Sequence, residues 1–260
     1  MEVDESKKNI ILNGAPGTGK TFLAGEFAKY LISESDGFIE IIQFHSAYTY
    51  EDFIQGLRPL TDIDGNLRYE IVLGRFLEFC EKARERDGNC VLIIDEINRA
   101  NLSAVFGELM YLLEYRDQAI KLAGSNEPFS IPENVYIIGT MNTADRSIAL
   151  VDHALRRRFA FIELRPDYDI LRKWHEREGT GFNVEPLITQ IEKVNEAIGD
   201  RHYNLGISYF LDENLEDNIA DIWELEIYPY LEELFYGESN KLEQFTWDNI
   251  KSFVLGETTP

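Results

Sequence analysis

GAPGTGKT, residues Gly14 to Thr21, decides how this chain is read. The apolar run Ile10, Ile11, Leu12 precedes it, and Phe22, Leu23, Phe27 and Leu31 follow at helical spacing. A strand, a glycine-rich turn and a helix start are the context in which such a turn holds a phosphate chain. Glycines let backbone N–H groups converge on an anion with no Cβ in the way. The helix N-terminus adds its partial positive charge. Gly14, Ala15, Pro16, Gly17, Thr18 and Gly19 are the expected cradle, with Phe22 in the same binding segment. Lys20 is placed to reach the β- and γ-phosphates, and Thr21 to ligate Mg²⁺ through its hydroxyl. An accidental glycine-rich turn is the weaker alternative, given the strand before it and the helix after it. The expectation is a nucleoside triphosphate site.

Cys90-Val-Leu-Ile-Ile-Asp-Glu96 is the second diagnostic stretch. Four consecutive apolar residues signal a strand covered on both faces, as in a parallel sheet. The two acids fall at its C-terminal end, where ligands of α/β sheets gather. Asp95 is the expected holder of Mg²⁺, and Glu96 the expected general base that polarises the attacking water. Alone, two acids ending a strand mean little; downstream of a phosphate loop they read as catalytic.

Between these stretches, Phe38 to Phe44 reads as a buried strand ending in His45-Ser-Ala-Tyr-Thr-Tyr. His45 is open to two readings, a satisfied structural histidine or a group at the nucleotide edge of the sheet. Turn signals at Arg58-Pro59 and Asp64-Gly65-Asn66 place a β-hairpin over 57–73. An amphipathic helix over 74–86 follows it.

After Glu96, Asn101 is the expected N-cap of a helix whose stripe is Leu102, Val105, Phe106, Leu109 and Leu113. A second hairpin is expected over 118–131. Val135 to Met141 is another buried strand, and it delivers Asn142 beside the phosphate-loop strand as a sensor of the γ-phosphate or the lytic water. Asp145 and Arg146 form either a local salt bridge or part of the site. A short helix over 147–155 leads to Arg156, Arg157 and Arg158. These are either a solvated basic patch or the source of an arginine finger that neutralises transition-state charge at a neighbour's γ-phosphate. Phe159 to Leu164 closes the α/β part.

The expected domains are 1–165, a three-layer α/β sandwich on a parallel central sheet, and 166–260, a small all-helical lid. The lid is expected to carry helices over 168–178, capped by Asp167, and over 185–198, ended by Gly199. Two more fall over 215–235, bent near Pro229, and over 247–255. Net charge is −22 over 260 residues, and 166–260 holds 21 acids against 7 bases. Such a surface repels a polyanion, which argues against broad nucleic-acid binding by this segment. Cys80 and Cys90 lie in no metal-ligand pattern, so both read as reduced, buried thiols. No apolar run approaches the about 18 residues of a membrane span. The N-terminus MEVDESKKN lacks a signal-peptide core, so the expected location is cytoplasmic, with no membrane partner.

Together these residues resemble the AAA+ family, and within it the McrB-like motors of methylation-dependent restriction systems. The resemblance is densest in GAPGTGKT, FHSAYTYEDFIQG (Phe44 to Gly56), IDEINRANLSAVFGELM (Ile94 to Met110), PENVYIIGTMNTADRS (Pro132 to Ser147) and ALRRRFAF (Ala154 to Phe161). It implies Lys20 and Thr21 as the Walker-A pair, Asp95 and Glu96 as the Walker-B pair, and Asn142 as sensor 1. It places Asp145 and Arg146 in the family's signature loop, Arg157 as the finger acting across a subunit boundary with Arg158 beside it, and Asp152 near that boundary. It further implies a hexameric ring, GTP with Mg²⁺ as cofactors, and a McrC-like nuclease partner that stimulates hydrolysis. Two departures stand out. The phosphate loop comes after only 13 residues, with no modified-DNA-binding domain before it, so no direct reading of methylated DNA is expected of this segment. Ile207 stands where the family often has histidine.

The expected function is therefore an Mg²⁺-dependent triphosphatase with GTP preferred, its site completed between subunits of a ring. An ATP-driven MoxR-type remodelling chaperone is the alternative within the same chemistry. A nucleotide-gated assembly scaffold with little hydrolysis is the rival from another class.

Overall fold

The computed structural model describes residues 7–33, 35–145 and 153–256. Two compact units emerge, one of Met1–Asn13 with Lys20–Glu163, the other of Gly14–Gly19 with Leu164–Pro260.

In the first unit the chain runs β1 (Asn9–Gly14), α1 (Lys20–Leu31), β2 (Ile39–Gln43), α2 (Tyr50–Phe53), β3 (Gln55–Thr61), β4 (Leu67–Leu73), α3 (Arg75–Arg84) and β5 (Cys90–Asp95). It continues through α4 (Leu102–Phe106), α5 (Leu109–Glu114), β6 (Ile120–Lys121), β7 (Pro128–Phe129), β8 (Val135–Asn142), α6 (His153–Arg156) and β9 (Ala160–Leu164). Five strands form one sheet in the order β2-β5-β8-β1-β9. β5 pairs in parallel with β2 from Ile39↔Val91 to Gln43↔Asp95, and with β8 from Cys90↔Val135 to Ile94↔Gly139. β5 is fully buried from Cys90 to Ile94, as an unbroken apolar run in a central parallel strand requires. The expected neighbourhood of Asn142 and the phosphate-loop strand holds, since β8 and β1 are adjacent.

β2 differs from the buried strand expected. It is the last strand of the sheet, and Ile41 stands 61% exposed; apolar content alone does not separate an edge strand from a central one. The single helix expected after Asn101 is broken into α4 and α5 at Gly107, whose φ of 47° and ψ of −129° a side chain would resist. Asn101 does cap α4, its side chain accepting from Ala104 N–H at 3.2 Å. The first hairpin is a seven-rung ladder, β3 against β4, from Gln55↔Leu73 to Thr61↔Leu67. The second is only two rungs, β6 against β7. A four-residue helix missed in the sequence, α2, starts at a capping box in which Thr49 and Asp52 satisfy each other's backbone N–H groups.

The second unit is helical beyond β9: α7 (Tyr168–Glu178), α8 (Val184–Ile198), α9 (Leu215–Ile222), α10 (Tyr228–Leu234), α11 (Ser239–Glu243) and α12 (Trp247–Val254). Asp167 and Asn183 cap α7 and α8 through their side chains, and Gly179 and Gly199 end them in the left-handed region. The bend expected at Pro229 takes the form of a π turn, Trp223–Ile227, between α9 and α10. Proline lacks an N–H and its ring crowds the carbonyl four residues back, so the ladder shifts register ahead of it. The core closes on Trp223, Phe210, Leu187, Ile191 and Ile227. Buried His175 ties α7 to the following loop, with ring nitrogens 2.8 Å from Thr180 Oγ1 and 2.9 Å from the Phe210 carbonyl.

No helix among the described residues is long and apolar enough to cross a membrane. Cys80 and Cys90 are free and buried, as read from the sequence. Burial pushes the Cys80 thiol up to about 12 and the Cys90 thiol above its ordinary value, so neither forms a thiolate near neutrality. At pH 8 a disulfide-exchange reagent is expected to label neither thiol until the first unit unfolds. Rapid labelling of either thiol in native buffer contradicts that packing.

Candidate nucleotide site

In the first unit one carboxylate oxygen gathers the site. Asp95 Oδ1 accepts from Thr21 Oγ1 at 2.9 Å and from Thr140 Oγ1 at 2.6 Å. The Thr140 hydroxyl also accepts from the Glu96 backbone N–H at 3.1 Å. Glu96 adopts φ 53° and ψ 43°, the one non-glycine residue at positive φ among the described residues. A left-handed residue with a side chain costs roughly 1–2 kcal/mol and persists only where its surroundings enforce it. Here the Thr140 hydroxyl and the 3₁₀ turn Ile97–Arg99 do so. Thr140 escaped the sequence reading. Its signal was there: it lies two residues before Asn142, on the same face of the strand.

Lys20 belongs to the same cluster. Burial depresses its ammonium, while Glu96, Asp95 and Asp145 raise it, and the net result lies below the ordinary lysine value. Asp145 thus converges on the site, and it pairs with Arg99 at 3.5 Å. Arg146 and Asp152 lie outside the described residues. Asn142 turns its side-chain oxygen onto the Ala144 N–H at 3.1 Å, and its carbonyl accepts from Asn98 Nδ2 at 3.4 Å. Phe22 is 74% exposed at the first turn of α1. His45 is exposed and packs edge-on against Tyr48.

A divalent ion fits this donor set. The Thr21 hydroxyl and the Asp95 carboxylate place hard oxygens 2.9 Å apart, and Mg²⁺ takes one or two protein oxygens, leaving its other positions to phosphates and water. Clusters of three or more His, Cys, Asp or Glu side chains, which a protein-only cage would need, are absent among the described residues.

The three arginines separate. Arg156 stacks its guanidinium 5.5 Å from the Phe161 ring centre. Arg158 turns inward, donating to the Met110 carbonyl at 2.5 Å and pairing with Glu114 at 2.8 Å. Its own carbonyl accepts from buried Asn9 Nδ2 at 3.1 Å, and that amide also donates to the Leu113 carbonyl at 3.1 Å. Arg157 is exposed and makes no hydrogen bond or ion pair with another described residue. It borders a cleft of about 330 Å³ whose lining includes Lys7, Lys8 and Arg116.

In the second unit the Gly14–Gly19 turn is held from outside by the strip Gly206–Tyr209. Gly206 N–H donates to the Pro16 carbonyl at 3.1 Å, and Ser208 N–H to the Gly17 carbonyl at 2.9 Å. A Cβ on Gly206 would collide with the Gly17 carbonyl, and one on Gly17 with the Tyr209 ring. Both glycines are therefore required by close approach, and Gly17 also by its φ of 73°. Ile207 is buried in the helical core, so the position that departs from the family's histidine is a packing position here.

Residues 9–159 match the profile of the AAA domain (dynein-related subfamily), and 186–243 that of the McrB α-helical lid domain. The Escherichia coli (strain K12) type IV methyl-directed restriction enzyme EcoKMcrB subunit is 41% identical over 266 aligned residues, covering 92% of this chain and 56% of that protein. The Bacillus subtilis (strain 168) type II restriction enzyme BsuMI component YdiS is 29% identical over 193 residues, covering 59% of this chain and 56% of that protein. The chain thus spans little more than half the length of these curated relatives. With a parallel sheet that brings Thr21, Asp95 and Glu96 together, the chain belongs to the AAA domain family of P-loop NTPases and carries the McrB-type helical lid.

Proposed function

We propose that this segment is the ring-forming, GTP-hydrolysing motor of a methylation-directed restriction system, completed in trans and stimulated by a McrC-like nuclease partner. The observation that carries the catalytic part is the shared Asp95 oxygen, which sets Thr21, Thr140 and Glu96 around one point. Likeness to the Escherichia coli methyl-directed restriction subunit across both the AAA and lid regions supports the assignment to such a system, and GTP is the nucleotide that the family resemblance implies.

The chemistry follows from the residues. Backbone N–H groups of Gly14–Gly19 hold the phosphate chain, and Lys20 places a cation against its β- and γ-oxygens. Thr21 and Asp95 would hold Mg²⁺, which when bound supplies charge neutralisation to those oxygens. Glu96, fixed by the Thr140 hydroxyl, accepts a proton from the attacking water. Asn142 orients the γ-phosphate from the end of β8. Arg157 of a neighbouring copy supplies the remaining positive charge; it is the arginine with neither an aromatic nor an acidic partner among the described residues. Arg158 fixes the backbone from which Arg157 projects, Asp145 acts on Lys20 electrostatically, and Arg146 is assigned to the same signature loop by the family resemblance alone.

Glu96→Gln is expected to keep nucleotide binding and to lose turnover by about 10²- to 10⁴-fold. Turnover left at the wild-type rate would remove Glu96 from the role of base. Thr140→Val keeps the shape but strips Asp95 of a donor and leaves the Glu96 N–H without an acceptor. A drop of roughly 10- to 100-fold in turnover, with nucleotide affinity retained, is expected by analogy with outer-shell ligands. Arg157→Ala should cost on the order of 10³-fold, and rings mixed from Arg157→Ala and Glu96→Gln subunits should regain activity. No recovery in the mixture places Arg157 in its own subunit's chemistry. Equal turnover of GTP and ATP at matched concentration points instead to a remodelling ATPase, and negligible turnover with and without the nuclease partner points to a scaffold.

A further inference from the structure

Arg99 has no role in the mechanism above, yet its guanidinium touches two acids of the site. Nε lies 3.3 Å from Glu96 Oε2, and Nη2 lies 3.5 Å from Asp145 Oδ2. The acids come from different places, one from the turn after β5 and the other from the segment after β8. Asp145 Oδ2 is buried and accepts no hydrogen bond among the described residues, and Arg99 is the cation in ion-pair contact with it, with Lys20 acting on the same carboxylate electrostatically.

Stability does not explain the arrangement. Arg99 is 48% exposed, and exposed ion pairs contribute about 0–1 kcal/mol. Geometry does. A guanidinium presents its donors in a fixed plane, so the edge that meets one carboxylate determines where a second can lie. Glu96 has a long, rotatable side chain on a backbone already fixed in the left-handed region. Lys20 sits within electrostatic reach of both Glu96 and Asp145 and competes for them. Arg99 gives Glu96 a second cation, in direct contact at 3.3 Å. The neighbouring turn is anchored as well, since Asn98 Nδ2 donates to the Asn142 carbonyl.

We propose that Arg99 is a positioning residue that aims Glu96, by dividing one guanidinium between the Glu96 and Asp145 carboxylates. It rests on the assignment of Glu96 as the group that polarises water. Asp145 then acts through Arg99: it fixes the plane of the guanidinium and hence the direction in which Glu96 is drawn.

The test uses the full segment and four variants, Arg99→Gln, Arg99→Lys, Asp145→Asn and the double Arg99→Gln/Asp145→Asn. Turnover, KM, melting temperature and the affinity of a fluorescent GTP analogue, measured with and without Mg²⁺, are recorded for each. Misplacement of a catalytic group by about 1 Å can cost on the order of 10²-fold. Arg99→Gln is therefore expected to lower kcat by roughly 10- to 100-fold, with KM, analogue affinity and melting temperature nearly unchanged. Arg99→Lys keeps the charge but not the fork and should recover part of the loss. The double variant should be no slower than Arg99→Gln alone, because both changes open the same link. The proposal is overturned by a kcat for Arg99→Gln equal to wild type, by losses that multiply in the double variant, or by a fall in melting temperature that parallels the fall in kcat and is not relieved by lysine. Glu96→Gln run alongside separates the two readings: if it retains turnover, the assignment of the base fails, whereas if it is inactive and Arg99→Gln is fully active, only the positioning role fails.

Discussion

Everything in the first unit that bears on chemistry depends on one oxygen of Asp95 accepting from two hydroxyls at once. Thr21 is 74 residues before it in the chain and Thr140 is 45 residues after it. Such a meeting requires the C-terminal ends of parallel strands to lie side by side. The register of β5 and β8, which pairs Ile94 with Gly139, sets Asp95 next to Thr140. A slip of one residue would turn the acid to the opposite face of the sheet and leave the threonine without its acceptor. Because Val91–Ile94 is apolar on both faces, what opposes such a slip is the acid at its end, whose carboxylate would lose its hydroxyl donors or be drawn into the buried length of the sheet. Core and site are thus specified by the same residues.

A comparable economy holds in the second unit. The glycine-rich turn is a segment whose amides are wanted for a ligand, so its carbonyls need other partners. Two of them, on Pro16 and Gly17, are taken by N–H groups of Gly206 and Ser208. The strip that supplies these donors is itself fixed from behind, with Phe210 in the helical core and its carbonyl against His175. Thus a phosphate cradle that looks self-contained in the sequence rests on a segment nearly two hundred residues later.

How much of this was legible in the sequence depended on the range of the interaction. The phosphate loop, the β5 run, the caps Asn101 and Asp167 and the first hairpin were readable because local spacing encodes them. The edge status of β2 was not, since Ile39-Glu-Ile-Ile has the same apolar content whichever strand neighbours it. The break at Gly107 was masked by a stripe that keeps helical phase on both sides of it. In the site, Lys20, Thr21, Asp95 and Glu96 are recognisable by type and spacing. Thr140 and Arg99 are not, because an ordinary threonine and arginine acquire meaning only from what stands across from them. The division among Arg156, Arg157 and Arg158 likewise needed the positions of Phe161, Met110 and Glu114.

The acidity of the chain poses a physical question that the geometry answers. A net charge of −22 should repel a nucleotide, and three carboxylates stand close enough to Lys20 to act on its ammonium. At an effective dielectric of about 20, two like charges 4 Å apart repel by roughly 4 kcal/mol, so uncompensated acids at the phosphates would outweigh one lysine. Compensation is local. Asp95 is bound by two hydroxyls, which disperse its charge without adding a cation. Glu96 and Asp145 each pair with Arg99 as well. The Thr21–Asp95 pair supplies the two oxygens suited to a divalent ion. On the proposed function, a site so arranged favours a metal-complexed triphosphate over a bare one. The excess of acid is thereby a selection for the charged state of the ligand, not an obstacle to its binding.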